Sequence, residues 1–150
     1  MKKFLAGILS AGILLSGCGG DSEKISKPPE NKIDLSSAND GTYTAESSRD
    51  EKLGHSTLTL TIENHRITGA KFTGFDLFGN VKDESYGSLL SEGDYKKAQV
   101  AVKAIATYSQ QLVETQDLKK VDAISGASIS YSQFVETTKK AVEAAQNEKK

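Results

Sequence analysis

The sequence predicts an α+β domain in which a small antiparallel sheet precedes two main helices. Apolar and threonine side chains alternate strictly in one stretch, Thr57-Leu58-Thr59-Leu60-Thr61-Ile62, as they do in a half-buried strand. Apolar residues then recur at helical spacing in two later segments. Strands in the first half of a domain and helices in the second half are typical of the α+β class.

Two further segments are expected to belong to the sheet. Residues 41–46 are β-prone and predict a short first strand. Glu63-Asn64-His65-Arg66 predicts a tight turn, because Asn tolerates positive φ, and residues 67–75 then return as a partner strand. Ile67 and Phe72 are the expected core residues of that strand. A bulge or a close backbone approach is expected at its glycines, Gly69, Gly74 and Gly79.

The second half of the chain predicts a loop over residues 76–93 and then the two helices. Asp94 is the expected N-cap of the first helix. Its apolar positions are Tyr95, Ala98, Ala101, Val102, Ile105, Tyr108 and Leu112. The second helix is predicted over residues 132–146, where Ser130 and Gln133 fit a capping box at its start.

The composition excludes several classes of protein. A formal net charge of −1 argues against a general nucleic-acid binder. One Cys cannot form an internal disulfide, and with two His it cannot complete a zinc finger without carboxylates. Neither His55 nor His65 belongs to a convincing Ser/His/Asp arrangement. We therefore predict no catalytic residue and no metal ligand.

The first eighteen residues predict an export signal that ends in a lipidated cysteine. Lys2 and Lys3 precede an apolar run, Phe4 to Leu15, which as a helix would span about 18 Å, short of a hydrocarbon core of about 30 Å. Leu15-Ser16-Gly17-Cys18 resembles the bacterial lipobox, in which the cysteine receives the lipid and becomes the new N-terminus. The resemblance implies a lipid anchor at Cys18 and a location at the cell membrane, facing outside the cytoplasm.

The remaining chain divides by composition. Small, charged and proline residues without periodicity follow Cys18 and predict a flexible tether. The predicted organisation is a signal peptide (1–17), a lipid-anchored linker (18–39), a folded domain (40–146) and a charged tail (147–150).

A segment of small residues lies between the two helices and is the strongest candidate for a binding site. A helix N-terminus offers unpaired N–H groups and a partial positive charge, which suit a phosphate. Gly126 and Ala127 leave space for a close approach, and Ser125, Ser128 and Ser130 add hydroxyl groups. The same residues also fit an ordinary capped helix that binds nothing, and the residues alone leave both interpretations open.

This segment resembles a known signature. Asp122-x-x-Ser125-Gly126-Ala127-Ser128 is similar to the Asp-x-x-Ser/Thr-Gly-Ala-Thr/Ser motif of FMN-binding domains. Such domains occur in the flavin-carrying subunits of Na⁺-pumping quinone reductases and Rnf complexes, and in small bacterial lipoproteins. The resemblance covers about residues 40–146 and includes residues 40–43, the hairpin around residues 62–67 and residues 76–82.

The resemblance implies an FMN cofactor and a maturation partner. In that family a flavin transferase joins the FMN phosphate to the last hydroxyl of the signature, here Ser128, where the family commonly has threonine. Asp122, Ser125, Gly126 and Ala127 would form the recognition segment. If Ser128 is not modified, the same loop would hold FMN non-covalently through the helix N-terminus. Four aromatic residues are candidates to pack on the flavin ring: Tyr43, Phe78, Tyr86 and Tyr131.

The resemblance implies that the protein is an electron carrier in preference to a complete enzyme. A tethered flavoprotein would exchange electrons with a membrane reductase and an external acceptor. The alternative is a surface lipoprotein that binds a partner or a small ligand and carries no redox cofactor. A small extracytosolic reductase is a third hypothesis, for which the sequence supplies no acid–base pair.

Overall fold

The structure of the protein, a computed structural model, describes residues 33–148. The predicted signal peptide, Cys18 and the first part of the tether lie outside the described residues. The order of elements is β1 (Gly41–Glu46), β2 (His55–Glu63), β3 (Arg66–Phe75), α1 (Glu92–Thr115), a 3₁₀ turn (Leu118–Lys120) and α2 (Ser128–Asn147). Within this part of the chain, neither helix combines the length and the apolar character that crossing a bilayer requires.

The sheet confirms the predicted hairpin and its inward face. The three strands are antiparallel in the order β1-β2-β3. Leu58, Leu60 and Ile62 are fully buried, while the threonines between them lie on the other face. Asn64 and His65 both have positive φ, 50° and 59°, as the two-residue turns that suit the twist of a hairpin require.

β3 has a bulge beside Gly69 and a close approach at Gly74, whereas Gly79 lies in the loop beyond the strand and not in β3 as expected. The register shifts between Thr61 and Ile62, which pair with Gly69 and Ile67, so the residue between those two partners bulges out of the ladder. At Gly74, a Cβ would lie 2.8 Å from Cδ1 of Ile105, because α1 packs closely against the strand there. The expected core residues of β3, Ile67 and Phe72, are buried.

Both helices pack on the same face of the sheet and enclose one core. α1 packs against β3, and α2 packs against β1 and β2. Phe72 of β3 meets Phe134 of α2 edge to face, with ring centroids 5.1 Å apart. Tyr108 of α1 lies 5.5 Å from the same Phe134 ring, so aromatic contacts join β3, α1 and α2 at the centre of the core.

The start of each helix differs from the prediction. α1 begins at Glu92, and its N-cap is Ser91, whose Oγ accepts from the Asp94 N–H at 3.3 Å. Asp94 is therefore wrong as the cap, because it lies inside the first turn, where its charge suits the helix dipole. α2 begins at Ser128, four residues before the predicted start.

The predicted capping box at Ser130 and Gln133 is also wrong. Ser130 lies within the first turn of α2, and Gln133 points into the core. The Gln133 Oε1 accepts from the Ser56 hydroxyl at 2.7 Å, and its Nε2 donates to the Gly54 carbonyl at 3.0 Å. These buried partners hold the side chain away from the helix terminus that it was expected to cap.

The residues just before β1 pack onto the domain. Leu35 and Ala38, which the composition placed in the linker, are buried in the core. The Asn39 amide donates to the carbonyls of Ala145 and Glu148 at the end of α2. The ordered structure therefore extends upstream of Asp40.

Candidate functional site

The loop before α2 is a tight bend that is hydrogen-bonded to Tyr108 of α1. The Tyr108 hydroxyl accepts from the Ile124 N–H at 3.1 Å, and the Ala127 N–H closes the bend on the Ile124 carbonyl at 3.0 Å. Gly126 has φ +86°, a conformation that costs side-chain-bearing residues free energy. Ala127 is buried against the core, so the bend carries Ser128 to the surface at the first position of α2.

The N-terminus of α2 has no side-chain cap among the residues that the structure describes. Ala127 occupies the cap position and has no side-chain acceptor. The first intrahelical bond is from the Tyr131 N–H to the Ala127 carbonyl. Among residues 33–148, nothing accepts the N–H groups of Ser128, Ile129 and Ser130. These three donors and the helix dipole form a site suited to an anion.

The hydroxyl groups at this terminus are unused as well. Ser128 is exposed, and its Oγ makes no hydrogen bond to any described residue. Ser130 is buried, and its hydroxyl likewise makes none within the described chain. α1 offers a contrast, because Ser91 caps it, so the open terminus is particular to α2.

The N-terminus of α2 forms one wall of a cleft of about 360 Å³. Residues 126–130 line this wall, and the first turns of α1 line a second through Asp94, Lys97 and Ala98. The third wall comes from residues that precede α1: Leu53, Lys82, Tyr86 and Leu90. The volume lies within the range of small-molecule sites, about 300–1,000 Å³.

The structure therefore brings together part of the predicted motif. Gly126, Ala127 and Ser128 line the cleft, whereas Asp122 and Ser125 do not. Both of those side chains are exposed. Asp122 is held by its backbone N–H, which donates to the Gln111 side-chain carbonyl at 3.0 Å.

Lys82 lines the same cleft as the α2 terminus and was missed as a site residue. Only 6% of its surface is exposed, yet its ammonium makes no hydrogen bond or ion pair to the described residues. Its Nζ makes a cation–π contact with the Tyr86 ring, at 5.3 Å from the ring centroid. Burial lowers the pKa of Lys82, and the charges of Asp50 and Asp76 oppose that shift.

The backbone fixes Lys82 in this position. Its N–H donates to the Gly74 carbonyl at 2.8 Å, which extends the pairing of β3 beyond the loop at residues 76–80. A Cβ on Gly74 would lie 3.2 Å from the Lys82 Cδ, so the absent side chain leaves room for the lysine stem. Lys82 ends a segment, residues 76–82, that belongs to the family resemblance, but no local pattern predicts that its side chain is buried.

Two of the four candidate aromatic residues lie near the site. Tyr86 lines the cleft, and Phe78 lines an adjoining hollow of about 740 Å³ that shares Tyr86 and Leu90 with it. Tyr131 instead packs edge to face on Tyr108. Tyr43 contacts Glu148 beyond the far end of α2, so it is wrong as a ring partner, since a 20-residue helix is about 30 Å long.

The chain resembles known proteins in sequence and in fold. A family model described as FMN-binding domain matches residues 53–143, which include every residue that lines the cleft. A crystal structure of a protein from Clostridium perfringens has the same fold, with a TM-score of 0.57 and 24% identity over 73% of this chain and 89% of that one. A solution structure from Clostridium thermocellum gives a TM-score of 0.43 and 24% identity over 73% and 94%. No curated protein matches the chain.

The residues of the cleft fit a cofactor that carries a phosphate. Three helix N–H groups without acceptors and a buried, unpaired ammonium are complementary to an anion of that kind. The match to the family model extends over more than half of the chain. The protein is therefore a flavin-binding protein, and it belongs to the FMN-binding domain family.

Proposed function

We propose that the protein is a lipid-anchored, extracytosolic flavoprotein that carries FMN through a phosphoester at Ser128 and transfers electrons. The observation that supports this most is the open N-terminus of α2, where an exposed hydroxyl adjoins three N–H groups that lack acceptors. The phosphate that binds these N–H groups would lie beside the hydroxyl that forms the ester.

Activation of Ser128 is assigned to the flavin transferase. The one carboxylate on the cleft wall, Asp94, already interacts with Ser91 and Lys97. No described residue accepts a hydrogen bond from the Ser128 hydroxyl. In the proposed reaction the Ser128 oxygen attacks the flavin-side phosphorus of FAD, AMP leaves, and a base of the transferase takes the proton.

The proposed role of the chain after maturation is to hold and expose the cofactor. Bound FMN accepts two electrons and releases them singly. The α2 terminus would partly offset the charge of the phosphate. Tyr86, Phe78 and Leu90 would offer apolar surface for the ring in the cleft and the adjoining hollow. A membrane reductase and an external acceptor are the proposed partners.

The proposed anchor is the lipid on Cys18. The lipobox at residues 15–18 supports it, and the chain between Cys18 and Ile33 would serve as the tether. The anchor would hold the flavin near the membrane surface while leaving the domain free to move between partners.

Covalent attachment is tested by exporting the chain together with a flavin transferase. Intact-mass spectrometry and flavin fluorescence in a denaturing gel are expected to show one FMN per chain. Ser128→Ala should abolish the adduct. Ser132→Ala, which removes an exposed hydroxyl one turn further along α2, should leave it. A wild-type chain without adduct, or an adduct that persists in Ser128→Ala, contradicts the proposal.

A further inference from the structure

We propose that the Lys82 ammonium is the counter-charge of the FMN phosphate at the N-terminus of α2. This inference rests on the proposed function and deepens it, because it assigns a charged partner to the phosphate. Lys82 would act as a positioning residue that fixes the phosphate beside Ser128, with no part in the redox chemistry of the ring.

The first argument is the free-energy cost of burying an ammonium group whose N–H donors have no acceptor. Lys82 is 94% buried, since only 6% of its surface is exposed, and none of its three N–H donors finds an acceptor among the described residues. Buried charges in proteins are paired or bound to a ligand, because desolvation of an isolated ammonium costs several kcal/mol. An anionic ligand in the cleft would supply the missing acceptors.

The second argument is that the two carboxylates whose charges act on Lys82 do not form an ion pair with it. Asp50 and Asp76 act on Lys82 at long range, and neither lies within ion-pair distance. Oδ1 of Asp50 accepts from the N–H groups of Lys52 and Leu53. Oδ1 of Asp76 accepts in the same way from Phe78 and Asn80. These bonds hold both carboxylates in their own turns.

The third argument is the arrangement of charge around the cleft. Lys82 and the first residues of α2 line the same cleft of about 360 Å³, so we expect a phosphate bound there to accept hydrogen bonds from both. The other lysine of the cleft, Lys97, is exposed and is paired with Asp94 at 3.1 Å. Lys82 is therefore the cation of the cleft whose charge is left for a ligand.

The test compares unfolding of the unloaded and FMN-loaded proteins. Lys82→Met keeps most of the stem and removes the charge. We expect it to raise the urea midpoint of the unloaded protein, because an unpaired buried charge is lost, and to lower the midpoint of the loaded protein, because the phosphate loses its partner. Lys71→Met, which removes an exposed lysine of β3 outside the cleft, serves as the control and should change both forms equally.

Two results would overturn the assignment. If Lys82→Met shifts the midpoints of both forms equally, Lys82 has only a structural role. The flavin midpoint potential should stay unchanged in Lys82→Met. A shift in that potential would indicate that the lysine faces the ring, and not the phosphate.

A third arm separates this inference from the proposed function. In the Ser128→Ala chain, which cannot form the ester, we expect Lys82→Met to weaken FMN binding about tenfold and to leave riboflavin binding unchanged, as for the loss of one charged hydrogen bond. If Lys82→Met weakens FMN and riboflavin binding equally, the role assigned to Lys82 is contradicted and the proposed function is not. A wild-type chain that takes up no flavin in any form contradicts the proposed function and this inference together.

Discussion

At the scale of single residues, the site depends on a glycine that does not line the cleft. Gly74 lets α1 and Lys82 pack against β3, because a Cβ there would lie 2.8 Å from Ile105 and 3.2 Å from the lysine stem. The lysine thus keeps its place in the cleft through the packing of a neighbouring strand. The sequence marks this glycine as an interruption of the strand, but it does not show which side chain needs the space.

Gly74→Ala is therefore expected to destabilise the domain. Overpacking of this kind costs about 1–3 kcal/mol, measured by urea unfolding of the unloaded protein. Gly93→Ala is the matched control, because a Cβ at Gly93 meets nothing within 4 Å and alanine favours the helix. A Gly74→Ala variant as stable as Gly93→Ala would show that the close approach is not rigid.

The burial of Lys82 also makes stability depend on pH. Because burial lowers its pKa in the folded state, the unfolded chain binds more protons between that lowered value and the ordinary lysine pKa near 10.5. The free energy of unfolding of the unloaded wild type should therefore rise with pH across this window, relative to Lys82→Met. The charges of Asp50 and Asp76 raise the pKa of Lys82, so they narrow the pH range over which stability rises. A constant difference between the two proteins across alkaline pH would contradict the burial of the charge.

At the scale of elements, α2 is fastened to the sheet by a polar contact that the sequence did not reveal. Gln133 joins α2 to Ser56 of β2 and to the Gly54 carbonyl, and both side chains are buried. The spacing of Ser130 and Gln133 fits a capping box, but burial of the glutamine outweighs that local preference. The helix consequently starts at Ser128 and keeps its terminus open.

Gln133→Leu should cost about 1–3 kcal/mol of unfolding free energy, because it leaves the buried Ser56 hydroxyl without an acceptor and removes one of the two donors to the Gly54 carbonyl, which keeps the Asp50 N–H. Ser56→Ala, measured in the same way, completes a double-mutant cycle. The two changes are expected to be less than additive. Strict additivity would mean that the two side chains do not interact in solution.

At the scale of the whole molecule, the sequence predicted the architecture but not the complete site. Strict alternation in β2 and the Asn64 turn made the hairpin predictable, because both signals are local. The motif from Asp122 to Ser128 located one wall of the cleft for the same reason. The wall that contains Lys82 depends on packing between residues far apart in the chain, so neither Lys82 nor its burial could be read from the pattern. Tyr43 was misplaced because its distance from Ser128 depends on the direction of α2.

The anchor is a prediction for the molecule as a whole. Cys18→Ala should prevent lipidation and move the exported protein from the membrane fraction to the soluble fraction, measured by fractionation and immunoblotting. Ser128→Ala serves as the control and should stay with the membrane. Retention of Cys18→Ala in the membrane fraction would mean that something other than this cysteine holds the chain there.

The most direct test of the central claim is to locate the flavin on the chain. Trypsin is expected to cleave after Lys120 and Lys139, which releases residues 121–139 with Ser125, Ser128, Ser130 and Ser132 in one peptide. Fragmentation of that peptide from the co-expressed protein should place the FMN phosphate on Ser128. A phosphate on another serine, or a peptide without flavin, would contradict the account.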